Sequence, residues 1–270
     1  MSSIYYNNDL MNVIDSYFFR PKTKKELIDA INFYYFNKEK GIQKYGIINN
    51  WDVTNITDMS KLFYYLTYFN EPIDLWNTSN VTNMKEMFSH AKLFNQPIDK
   101  WNVSSVTSME CMFYKASSFN QSLNLWDVSS VINMRYMFWE ASLFNQPLDS
   151  WNVSSVTNMN CMFFLASSFN QPLDSWDVSS VINMKAMFES ASSFNQPLDS
   201  WDVSSVFNMT DMFSEALTFN QSLNSWNVSS VISMDGMFEF AKDFNQPLNS
   251  WDVSSVTNME CMFYSAESFN

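Results

Sequence analysis

Residues 176–200 read WDVSSVINMKAMFESASSFNQPLDS, and close variants of this stretch fill most of the chain. Tryptophan returns at positions 51, 76, 101, 126, 151, 176, 201, 226 and 251, always 25 residues apart. A fixed period of that length marks an array of stacked units, each too small to bury its own apolar face alone.

Within the unit, Trp176, Asp177 and Val178 alternate apolar, polar, apolar, the period of a short strand. The register of Ser180 holds only Ser or Asn, as a helix N-cap requires. Val181, Met184, Met187, Phe188 and Ala191 then fall on one helical stripe of about three turns. Pro197 ends that helix, and Leu198 returns the chain to the core before Trp201. The expectation is an α/β fold of nine strand–helix coils wound right-handed. Helices are ~10 Å wide and strands ~4.8 Å apart, so such a stack curves with its strands on the concave side.

Residues 1–46 read as an N-terminal helical cap and residues 47–270 as the array. Ile4, Leu10, Val13, Ile14, Tyr17 and Phe18 sketch a first short helix closed by Pro21. Thr23-Lys-Lys-Glu26 is a capping-box pattern, followed by Leu27, Ile28, Ile31, Tyr34 and Tyr35 on one helical face. A second helix is expected over 37–45, with Gly46 as the left-handed residue after it. One face of such a cap buries the first end of the stack, and the other meets water.

Composition bounds the function. Net charge is −13, and the first 45 residues hold 7 of the 15 basic but only 5 of the 28 acidic residues. The array is therefore strongly acidic, which disfavours nucleic acid and favours a basic partner. No apolar run is long enough to cross a membrane, and neither a signal peptide nor a lipoprotein cysteine is seen near the start, so a cytoplasmic or virion-associated protein is expected. Cys111, Cys161 and Cys261 share one register. Two coils separate the first pair by roughly 10 Å, beyond disulfide reach, so free thiols are expected. The single histidine, His90, and three glycines leave a catalytic triad, a His-rich metal site or a phosphate loop without parts. No enzyme activity and no cofactor is expected.

Comparing the copies separates structural positions from free ones. The Trp series, Met59 to Met259, Phe63 to Phe263, Phe69 to Phe269 and Asn70 to Asn270 never change. An unvarying amide beside an unvarying Phe predicts a buried structural ladder of Asn95, Asn120, Asn145, Asn170, Asn195, Asn220 and Asn245, donating and accepting at a turn. The paired methionines lie in the apolar stripe and read as core rather than as copper ligands. Copies diverge at the registers of Tyr64-Tyr65 and Ser89-His90, on the expected outer helix face. There Tyr114, Tyr136, Trp139, Phe164 and Leu165 fall on neighbouring coils, a candidate partner-binding cluster. Stacked Asp149, Asp174 and Asp199, and Asp177 with Asp202, read as solvated carboxylates, with calcium bridging as the alternative.

The repeat FNQPLDSWDVSSVTNMxxMFxxA resembles that of the BspA-like leucine-rich-repeat surface proteins, also found in surface lipoproteins of wall-less bacteria, in protists and in giant viruses. The resemblance covers residues 47–270 and implies a leucine-rich-repeat-like solenoid used in adhesion or protein interaction, with no catalytic residues. The expected function is a non-enzymatic interaction or scaffold solenoid with an unknown protein partner. The alternatives are a self-associating structural or surface/virion protein, pairing end to end through an uncapped last coil, and a calcium-dependent adhesin.

Overall fold

The structure, a computed structural model, describes residues 18–270. The helix expected within residues 1–21 falls almost wholly outside that range. Helices α1 (Lys24–Phe36) and α2 (Lys38–Tyr45) follow, then a single 3-10 turn at Ile48–Asn50. Thr23 Oγ1 accepts the Glu26 N–H at 3.2 Å. The Glu26 carboxylate reaches one residue further back than a reciprocal capping box, accepting the Lys22 N–H at 2.8 Å. Gly46, at φ 73°, stops α2. Leu27, Ala30, Ile31 and Tyr34 are buried, and the Tyr34 ring meets Trp51 edge-on at 5.8 Å. The two helices thus cover the apolar end of the first copy.

Inside the nine copies the described residues contain neither a helix nor an extended strand. This corrects the expected strand–helix coil. Copies touch through isolated parallel bridges, Asp58 to Asn83 and onward every 25 residues to Asn258. In the copy from Trp176, the N–H groups of Met184, Ala186, Phe188 and Ser190 donate to carbonyls of the next copy, Asn208, Thr210, Met212 and Ser214, at 2.7–3.1 Å. The residues between them close tight turns on their own copy: Met187 to Met184, Glu189 to Ala186, Ala191 to Phe188. That alternation needs left-handed backbone at two positions four apart, Ala186 at φ 53° and Ser190 at φ 56°. A helix accommodates neither.

Spacing supplies the physical reason. Along the stack, Phe138 and Phe163 lie 5.6 Å apart, Phe144 and Phe169 6.0 Å, and Trp151 and Trp176 6.3 Å. Every register is close to strand spacing, whereas packed helices need about 8–10 Å. Turns bonded from copy to copy fit where helices do not, and the curvature expected from a helix–strand mismatch loses its cause. The Ser180 register caps no helix. Asp177 Oδ1 instead accepts from the Ser179 N–H and hydroxyl, at 3.1 and 2.6 Å, and Asn183 Oδ1 from the Lys185 N–H at 3.0 Å.

The core is one continuous column from Leu27 to Met262. Two ladders bind its rim. Trp176 Nε1 donates to the Leu148 carbonyl at 2.9 Å, and the series repeats this. Asn170 Oδ1 accepts the Asn195 N–H at 3.0 Å and Gln196 Nε2 at 2.9 Å. The same oxygen serves in Asn95, Asn120, Asn145, Asn195, Asn220 and Asn245, each accepting from the next Asn N–H. These residues are half-buried, and Asn245 is exposed, so the ladder lies at the rim rather than in the interior. Only the oxygen is used: among the described residues the ladder amides donate no side-chain bond, because the group they face is always an N–H.

Candidate functional site

The left-handed turn lifts the residue before each second left-handed position, and that position itself, onto one side of the array. Non-apolar and apolar side chains both fit there, since the backbone bonds are made by N–H groups that every residue except proline has. Copies three to five place aromatics at these registers. Tyr114 stacks on Trp139 with centroids 5.6 Å apart, and Trp139 on Phe164 at 3.7 Å. Tyr136 meets Trp139 edge-on at 5.1 Å. All four are partly buried by this mutual contact. Leu165, next to Phe164 in the chain, sits at a left-handed φ of 55° and is exposed.

The row begins two copies earlier than the sequence-based cluster. Tyr65 stacks on His90 at 3.9 Å, and His90 leans on Tyr114 at 5.3 Å. Tyr64 packs edge-on against Tyr65 at 4.5 Å. The signal for these residues was available: they occupy the same two registers in consecutive copies. Burial, ahead of the charges of Lys115 and Lys92, pushes the His90 pKa down, which favours the neutral ring in the stack.

Cations edge the row. Arg135 lies over the Tyr136 ring at 4.3 Å and donates to its hydroxyl at 2.7 Å. Lys115 lies over Tyr114 at 5.6 Å and pairs with Glu140 at 3.2 Å, while Trp139 Nε1 donates to the same Glu140 carboxylate at 3.0 Å. Lys61 pairs with Glu86 and Lys85 with Glu110.

From copy six onward the same side turns acidic, through Glu189, Asp211, Glu215, Asp235 and Glu239. Burial, then the charges of Asp211 and Glu215, pushes Glu189 up to about 7. Burial likewise raises Asp211, against the pull of Lys185 at 3.9 Å. Asp177 and Asp202 behave oppositely: hydrogen bonds from Ser179 and Ser204 hold their carboxyls below the usual range. Among the described residues no group of three or more His, Cys, Asp or Glu is arranged to hold a metal ion.

The thiols are poorly suited to chemistry. Burial pushes Cys111 and Cys161 up to about 12, so neither offers a thiolate nucleophile near neutral pH. All three cysteines are free. Among the described residues no helix is long and apolar enough to cross a membrane.

The model of one protein family matches the chain in three overlapping stretches, residues 32–138, 122–217 and 196–270. No curated protein and no solved structure matches it. The three stretches together run from within α1 to the last residue, taking in all nine copies, and on that coverage the chain belongs to the repeat family described as "Mycoplasma protein of unknown function, DUF285".

Proposed function

We propose that this repeat protein is a non-enzymatic scaffold that holds a protein partner along its aromatic row. The row itself carries the reading. Five rings from five consecutive copies, Tyr65, His90, Tyr114, Trp139 and Phe164, lie against one another at registers the fold leaves free. In copies six to eight the first of those registers holds Glu189, Ser214 and Glu239, so the fold does not require a ring there. Aromatic anchors dominate protein interfaces, and rings already fixed by stacking lose little freedom on binding. The lysines along the row are paired with Glu86, Glu110 and Glu140, and the acidic copies beyond suit a basic partner. The finer reading is a leucine-rich-repeat-like solenoid of the BspA-like kind, supported by the motif resemblance and by its association with adhesion and protein interaction.

The test compares partners captured by the wild type, by a Trp139→Ser, Phe164→Ser double variant and by an Ile182→Ser, Ile232→Ser control on other exposed apolar residues. Loss of the same partners from the first variant alone supports the row. An unchanged partner set removes it.

A further inference from the structure

The helical cap and the first copy enclose a hollow of about 450 Å³, between the end of α1, the start of α2 and the segment from Tyr68 to Glu71. Tyr34 and Phe69, both buried, form its floor. Phe36 and Tyr68 also line it, yet stand 73% and 75% exposed, the two most exposed aromatic rings among the described residues. The fold makes little use of either ring. Phe36 meets Tyr35 edge-on at 5.0 Å, and among the described residues Tyr68 packs against no other ring. Tyr68 holds the cap through its backbone, whose N–H donates to the Tyr35 hydroxyl at 3.2 Å, a bond open to any residue except proline. Comparison of the copies singles out the same place. Later copies hold Leu, Ser, Thr or Asp at the register of Tyr68, and Gln at that of Glu71, from Gln96 to Gln246. Gln96 donates to Asn70 Oδ1 of the copy before it, whereas Glu71 has the cap before it and accepts from Lys38 Nζ at 2.6 Å. Packing against the cap thus accounts for Glu71 and leaves the two rings unexplained.

We infer that this hollow binds a quaternary ammonium group of the choline kind. A cleft of a few hundred Å³ lined mainly by aromatic rings, with few polar groups, has the form of a small-ligand site. Open ring faces carry the negative side of the ring quadrupole and attract cations. The net charge of −13 draws cations towards the chain as a whole. The polar lining then selects among them. Its one carboxylate, Glu71, is already paired with Lys38, so the charges of the two cancel. A primary ammonium brings three N–H donors and would have to break that pair to satisfy them. A tetraalkylammonium has no N–H to satisfy and is weakly hydrated, so it lies against the rings and leaves the pair intact. The hollow shares no residue with the aromatic row and does not depend on the function proposed for it.

The experiment titrates the full chain with choline chloride at fixed ionic strength and follows saturation transfer from the protein to the N-methyl protons. Choline is expected to bind with a Kd of about 1 mM. Its uncharged carbon isostere, 3,3-dimethyl-1-butanol, should bind about tenfold more weakly, because it fills the same space without the charge. Phe36→Leu and Tyr68→Leu should each weaken choline by about fivefold. An unchanged melting temperature, expected because both rings are exposed, shows that these variants stay folded. Trp139→Ser should leave choline binding as it is. Co-sedimentation with phosphatidylcholine vesicles would assign the group to a lipid headgroup, and choline binding without it to a free solute; either supports the site. No binding at about 50 mM choline overturns the inference. So does equal affinity for the uncharged isostere, which would make the hollow merely apolar, or wild-type affinity in a Phe36→Leu, Tyr68→Leu double variant.

Discussion

Among the described residues the buried Trp51 indole N–H has no partner, whereas its eight successors each donate to a carbonyl 28 residues back, at 2.8–3.1 Å. Trp151→Phe would remove one of the two donors to the Leu123 carbonyl, leaving it the Trp126 N–H, whereas Trp51→Phe removes a group that has no partner among the described residues. The second substitution is expected to cost less than the first by about 0.5–1.5 kcal/mol, read from urea midpoints. Equal costs would mean that the indole ladder contributes nothing. The left-handed positions make a second expectation. Ser190→Gly relieves about 1–2 kcal/mol of backbone strain against roughly 0.5–1 kcal/mol of added chain freedom, so a small rise in melting temperature should follow. Ser190→Val should lower it, because a β-branched residue tolerates that conformation worst. The tryptophans and asparagines were legible as fixed residues. The left-handed pair was not, because Lys, Cys, Tyr and Asp at those registers look like unconstrained surface. Their trace is subtle: none of the eighteen residues is Val, Ile or Thr, and Gly236 is one of them.

At the scale of the element, the repeat misleads by arithmetic. Apolar residues at i, i+3, i+6, i+7 and i+10 match one face of a helix, but three-residue turns closed by i to i−3 bonds produce nearly the same spacing. What decides between them is where the other N–H groups go, and their acceptors lie in the next copy, 24 residues on. Local pattern carries no such information. The cap was readable for the converse reason, since a capping residue, an amphipathic face and a terminating glycine all act within a few residues. Far-ultraviolet circular dichroism should therefore show little helix from the array: among the described residues, 18–270, the α-helices are α1 and α2, of 13 and 8 residues. A spectrum with one helix per copy would refute the turn-based coil. The aromatic cluster was half legible. Its members were found by comparing copies, but its extension to Tyr65 and His90 depended on contacts along the stack.

Across the whole molecule, raised and lowered carboxyl groups make opposing contributions to stability as pH changes. The raised value of Glu189 means that the folded chain holds a proton the unfolded chain has lost, between its ordinary 4.5 and about 7. Stability from this group is fully present below that window and lost as pH rises through it. Asp127, Asp177 and Asp202, held low by serine hydrogen bonds, act the other way: their contribution is present above the ordinary carboxyl range and lost as pH falls through it. Melting temperature should thus peak on the acid side of neutrality. Glu189→Gln should flatten the fall between pH 5 and 7 while leaving the acid limb alone. An unchanged slope in melts across that range would rule out the assignment.

The sameness of the eight junctions has a further consequence, for inheritance rather than for stability. A stretch of 25 codons can be lost or gained by unequal crossing-over, and the copies on either side still meet as before, donor row to carbonyl row. Each such event lengthens or shortens the array by one step of about 4.8 Å. It also brings new outward-facing residues side by side. Removal of residues 151–175, for example, would set Trp139 beside Glu189 and cut the aromatic row short. In such a gene the surface can be reshuffled by recombination, while the core is passed on intact.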